Sequence, residues 1–256
     1  MNILKMPVIS FLLCNVLPAL SQSMSAQEII EEAAEAMGGL DRIMDVDSLV
    51  MTGFSQTLGL GGSASPHPKS PKKWTSQNDI TRSFNLNSMQ ALQTHRQGFL
   101  YPFALAFGHA WNPSSQIQQG VSVLNHPLTA LRAALASDTE LGAISIEDDN
   151  IVIEFTLGGG ETLWLGINQF NKLPAWSRWI GPSPTLGELT YTSWFTGYSP
   201  FGEVRLPSGI NTEIDWRESV VTEFHVDGYE LDAVLPAFEI EAGMSFDGGD
   251  ILDVEV

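Results

Sequence analysis

The sequence predicts a mainly β fold of the α+β kind: one large, curved antiparallel sheet, a half-barrel meander, with two or three helices packed on it. Three observations predict it. From Gly187 to Thr196, Leu189, Tyr191, Ser193 and Phe195 alternate with Thr190, Thr192, Trp194 and Thr196. After a turn around Ser199-Pro200-Phe201-Gly202 the alternation resumes at Val204 and Leu206. It pauses at Pro207-Ser208-Gly209 and continues as Ile210, Thr212, Ile214 and Trp216 against Asn211, Glu213, Asp215 and Arg217. A third run places Val220, Thr222, Phe224 and Val226 on one side. Period-two alternation in β-branched and aromatic residues between glycine and proline turns is a strand signal, and one apolar face per strand implies an antiparallel sheet with a buried side.

The N-terminus reads differently. Lys5 precedes the apolar run Val8–Leu17, and Pro18-Ala19-Leu20-Ser21 follows with small residues. This is the layout of a secretory signal peptide over residues 1–21, with cleavage after Ser21. The run is short for a membrane span. Cys14, the single cysteine, lies inside it, and a lipid anchor there would need a smaller residue where Leu13 stands. The expectation is a periplasmic or secreted protein, residues 22–256 forming one β-rich domain without a stable membrane anchor. Once the leader is removed no thiol remains for disulfides or thiolate metal sites.

Ser25-Ala26-Gln27-Glu28 has capping-box spacing, and Ile29, Ile30, Ala33 and Met37 recur at helical spacing up to Gly38-Gly39. Ser48–Phe54 reads as the first strand. Residues 59–71, rich in glycine and proline, read as a loop without the Gly-Lys-Ser/Thr ending of a phosphate cradle. Weaker strands are expected near Asp79–Leu86 and Ala91–Gln97. Phe99–Phe107 is the most apolar part of the mature chain. Pro127 suits the first position of a second helix carrying Leu128, Leu131 and Leu135. From Ile144 a meander follows: Ile151, Ile153, Phe155 and Leu157; Leu163, Leu165 and Ile167; then Pro174, Trp176, Arg178 and Ile180. Ile251–Val256 alternates like a strand and then stops.

Among 256 residues, 30 are acidic and 12 basic, for a formal charge of −18. Such a surface repels phosphate backbones, so nucleic acid is not an expected partner. No catalytic constellation is recognisable. His67, His95, His109, His126 and His225 form no metal-site spacing, no Gly-x-Ser-x-Gly elbow occurs, and neither 147–150 nor 247–250 fits a calcium loop. Cofactors and metals are therefore not expected, and the chain reads as non-enzymatic. The seven tryptophans remain: Trp176 and Trp179 differ in parity, as do Trp194 and Tyr191, so aromatics fall on both sheet faces. The expected ligand-binding set is Phe99, Tyr101, Phe103, Phe107, Trp111, Trp176, Trp194 and Trp216.

Several segments carry a resemblance. Met37-Gly38-Gly39-Leu40-Asp41-Arg42, then Leu49-Val50-Met51-Thr52-Gly53, resembles the region preceding some bacterial metallo-β-lactamase-fold hydrolases. His126-Pro127, Leu131–Leu135, Leu173-Pro174, Thr192-Ser193-Trp194, Gly202–Pro207 and Ile214–Arg217 fit it too. The His-x-His-x-Asp-His motif of the hydrolase itself does not occur, so no hydrolase activity carries over. The layout is also similar to LolA-type lipoprotein carriers, which hold acyl chains in a half-barrel. The aromatics on both sheet faces, the export signal and the missing catalytic groups point to one function, and the hydrolase resemblance implies an alternative. One is a non-enzymatic exported domain whose sheet encloses an apolar cavity for lipid or another hydrophobic ligand. The other is an accessory, interacting module of a metallo-β-lactamase-fold hydrolase whose catalytic part is missing or separately encoded.

Overall fold

A computed structural model describes residues 24–63, 72–99, 112–118, 123–183, 186–216 and 219–237. Strands β1 (Ser48–Ser63), β2 (Lys72–Asn85), β3 (Gln90–Phe99), β4 (Asn112–Gln118), β5 (Glu140–Glu147), β6 (Asn150–Thr156), β7 (Thr162–Asn168), β8 (Pro174–Ser183) and β9 (Gly187–Thr196) come first. The short strands β10 (Ser199–Phe201) and β11 (Val204–Leu206) form a separate hairpin, and β12 (Gly209–Ile214) and β13 (Ser219–Leu231) close the series. Eleven of these make one antiparallel sheet in the order β4-β3-β2-β1-β13-β12-β9-β8-β7-β6-β5. The first and last strands therefore pair at mid-sheet, with Leu49 opposite Leu231 and Thr57 opposite Thr222.

Alternation explains the two faces. Leu189, Tyr191, Ser193 and Phe195 turn inward with Ile210, Thr212 and Ile214, as the register Phe195↔Ile210 and Ser193↔Thr212 requires. Helix α1 (Ala26–Met37) lays Ile29, Ile30, Ala33, Ala34 and Met37 into the core. Its capping box is complete: Ser25 Oγ accepts from the Glu28 N–H at 3.2 Å, and Glu28 Oε2 accepts from the Ser25 N–H at 2.7 Å. Helix α3 (Pro127–Ala134) buries Leu128, Leu131 and Ala134 beside it. The core lies between these helices and one arm of the concave face, where Ile153, Phe155, Leu163, Leu165 and Ile167 are buried.

Four features depart from the sequence reading. β1 continues to Ser63, so residues 59–63 are strand rather than loop. A short helix α2 (Leu40–Asp45) follows α1, because Arg132 of α3 donates to the carbonyls of Ile43, Met44 and Val46 and satisfies its C-terminal end. β4 is a strand at one end of the sheet order. β5 starts at Glu140 rather than near Ile144, and it ends the other arm. The leader, residues 64–71, the segment 100–111 and the tail from 238 lie outside the described residues.

Candidate functional site

The site is built where the two arms of the sheet face each other. β1 and β2 bring Met51, Ser55 and Thr57 alongside Gln77 and Arg82, with Gln93 next on β3. From the other arm, β8, β9, β12 and β13 bring Trp179, Tyr191, Ile210, Thr212, Val221, Thr222 and Phe224. Asn125, just before α3, completes the described wall. Together they enclose a cavity of about 260 Å³. Val221 reaches it through a β-bulge: Thr212 pairs with Thr222 and Glu213 with Val220, leaving Val221 unopposed. A bulge redirects side chains, and here two consecutive ones, Val221 and Thr222, line the same space.

The wall carries both polar and apolar groups. Ser55, Gln77, Gln93 and Arg82 are among the polar ones. Ser55 Oγ donates to Gln77 Oε1 at 3.1 Å, and the Gln93 amide nitrogen lies 3.5 Å from the same oxygen. Arg82 is 4% exposed, and its guanidinium carbon sits 4.7 Å from the centre of the Phe84 ring. Burial pulls its pKa down to about 9, which leaves it a cation at neutral pH. The other arm brings most of the apolar groups: Trp179 and Tyr191 stack, and Ile210, Val221 and Phe224 line the same space, Phe224 directly across from Ser55. The hollow was expected to be apolar; it is amphipathic.

A directed hydrogen-bond chain runs close to Arg82. His126 caps α3, its Nδ1 accepting from the Leu128 N–H at 3.3 Å. The proton is therefore on Nε2, which donates to Tyr229 Oη at 3.2 Å, and Tyr229 Oη donates to the Pro207 carbonyl at 2.7 Å. Burial, with Arg82 nearby, holds the His126 pKa down at about 3, so the ring stays neutral. Burial likewise raises that of Tyr229.

The expected ligand-binding residues scatter. Trp176 and Trp194 come together, ring centres 6.1 Å apart, but on the convex face, away from the cavity. There the chain covers its own aromatic surface. Trp176 is fully buried, with Arg178 4.2 Å above its ring and Gly166 underneath. Arg178 grips Glu147 with two hydrogen bonds of 3.0 and 2.8 Å and also donates to Thr192. That hydrogen bonding holds the Glu147 carboxyl below its ordinary pKa. The indole N–H groups of Trp164 and Trp194 donate to Glu154 and Glu213, each at 3.1 Å. Trp216 is half-buried against Leu189, Ile214 and Val221, a small cluster that adjoins the cavity through Val221. Phe99 pairs with Thr75 in β3, and its side chain lies outside the described residues, as do Tyr101, Phe103, Phe107 and Trp111.

Sequence reasoning missed Trp179, Tyr191 and, above all, Arg82. A signal for Arg82 was present: Ile80, Arg82, Phe84 and Leu86 share parity, and a charge inside an apolar row must end up facing the interior.

No helix among the described residues is long and apolar enough to cross a membrane. Neither a family model nor a curated protein matches the chain. The likeness to the region ahead of metallo-β-lactamase-fold hydrolases thus rests on the quoted residues alone. Among solved structures, a LolA superfamily protein from Nitrosomonas europaea is similar at 17% identity, over 84% of this chain and 96% of that one, with a TM-score of 0.41.

Proposed function

We propose that this protein is an exported, non-enzymatic carrier that holds a hydrophobic or amphiphilic small molecule in the hollow of its curved sheet. The observation that carries the reading is the cavity itself, walled by Trp179, Tyr191, Ile210 and Phe224 beneath the concave face. Binding sites are concave and mostly apolar, with a few placed polar groups; at about 260 Å³ this one lies just below the usual range of roughly 300–1,000 Å³. A chain of medium length suits that space better than a whole phospholipid. In this reading residues 1–21 direct export and are removed, and residues 22–256 act as one β-rich domain in the periplasm or outside the cell. The accessory-module reading loses its main motive on the convex face, where Arg178 with Glu147 already covers Trp176 and Glu213 accepts from Trp194.

The test is uptake of a fluorescent acyl probe by delipidated protein. Saturable binding near one probe per chain, lost in a Thr57→Trp variant that fills the cavity and still folds, is the expected result. Wild-type protein that takes up no probe overturns the reading.

A further inference from the structure

We infer that the ligand carries an anionic head, a carboxylate on a medium-length tail, and that Arg82 receives it; this rests on the carrier reading and names its ligand class. Arg82 is buried, lines the cavity, and is the charged side chain among the described lining residues. A guanidinium presents a planar fork of N–H donors, so it grips a carboxylate while keeping contacts with the wall. Around it the wall offers more donors. Gln77 and Gln93, whose side chains carry amide donors, line the same cavity. Charge–charge attraction is far stronger at a buried site than in water, so a cation here discriminates between heads that solvent would treat alike. Phe224 on β13 lies directly across from Ser55, and beyond β13 and β12 the Trp179–Tyr191 stack completes an apolar surface for a tail. A cationic amphiphile would meet Arg82 with like charge.

The experiment is calorimetric titration of delipidated protein with decanoate, decanol and decyltrimethylammonium, on the wild type and on Arg82→Gln. Wild type is expected to bind decanoate at least about tenfold tighter than decanol and to bind the ammonium weakest. In Arg82→Gln the preference for decanoate should vanish while decanol binding persists. Arg82→Lys, which retains the charge, should keep part of the preference, and it substitutes for Arg82→Gln if that variant does not fold. Equal wild-type affinity for decanoate and decanol overturns the head assignment and leaves the carrier reading standing, as does an undiminished preference in Arg82→Gln. Binding of none of the three removes the carrier reading and this inference with it.

Discussion

Trp179 and Tyr191 face each other across β8 and β9 with ring centres 5.5 Å apart and planes 8° from parallel. This stack is part of the apolar wall of the cavity, and Trp179 is also part of the main core. Trp179→Ala therefore removes core volume and the stack together. Truncating a buried tryptophan costs about 3–5 kcal/mol, and the enlarged hollow should accept longer tails. Urea unfolding gives the first quantity. The second is checked by comparing the affinities of decanoic and myristic acids: the variant should shift the preference toward myristic acid, and an unchanged ratio would show that Trp179 does not set the cavity's length.

The strand grammar was legible because each face of this sheet is consistent over many residues. The inward row Leu189, Tyr191, Ser193, Phe195 and the outward row containing Trp194 could be read directly and both stand in the structure. The direction of curvature was not legible. Alternation separates Trp176 from Trp179 but does not say which of them the sheet wraps around, and that depends on α1 and α3 packing on one face. Arg178 hides Trp176 through contacts with Glu147, thirty-one residues earlier in the chain, which no local pattern announces. Val221 reaches the cavity only through a bulge that simple parity overlooks.

Gly166 is needed for close approach. A Cβ built there would collide with the Trp176 indole, which is fully buried and pinned from above by Arg178. Gly166→Ala should cost about 1–3 kcal/mol, the usual penalty for overpacking. The displaced indole should also become more exposed. Denaturant titration followed by tryptophan emission tests both, and a variant as stable as wild type with unshifted emission would contradict the packing described.

Arg132 ties α3 to α2. Its Nη1 donates to the carbonyls of Met44 and Val46 at 2.6 Å and of Ile43 at 3.1 Å. Arg132→Met keeps much of the aliphatic stem and removes the donors. Hydrogen bonds from charged groups are worth about 1.5–3 kcal/mol each, with losses at one site less than additive, so a total near 3 kcal/mol is expected. The loss should be local as well as global. Amide exchange in residues 40–46 should accelerate more than in β7 or β8, and uniform acceleration would argue that α2 does not depend on this side chain.

His126 makes folding sensitive to mild acid. Its ordinary pKa of 6.5 applies to the unfolded chain, whereas in the fold burial and then Arg82 hold it near about 3. Between those values the unfolded state binds a proton that the native state refuses. Stability from this group is complete above pH 6.5 and is lost as pH falls toward 3, with a limiting slope of about 1.4 kcal/mol per pH unit. Buried His95, also shifted down, adds a slope of the same sign. The carboxylates Glu147 and Asp232, both shifted below their ordinary values, contribute only at lower pH. Arg82 acts only in the alkaline range. His126→Asn isolates the effect, because asparagine still caps α3 but does not titrate. The variant should be less stable at neutral pH, having lost the bond to Tyr229, yet its stability should fall less steeply from about pH 6.5 to 5. The slope difference should approach one proton and is measured by urea unfolding at several pH values. Equal slopes would mean that His126 is protonated in the native state, which would break the chain from Leu128 through Tyr229 to Pro207.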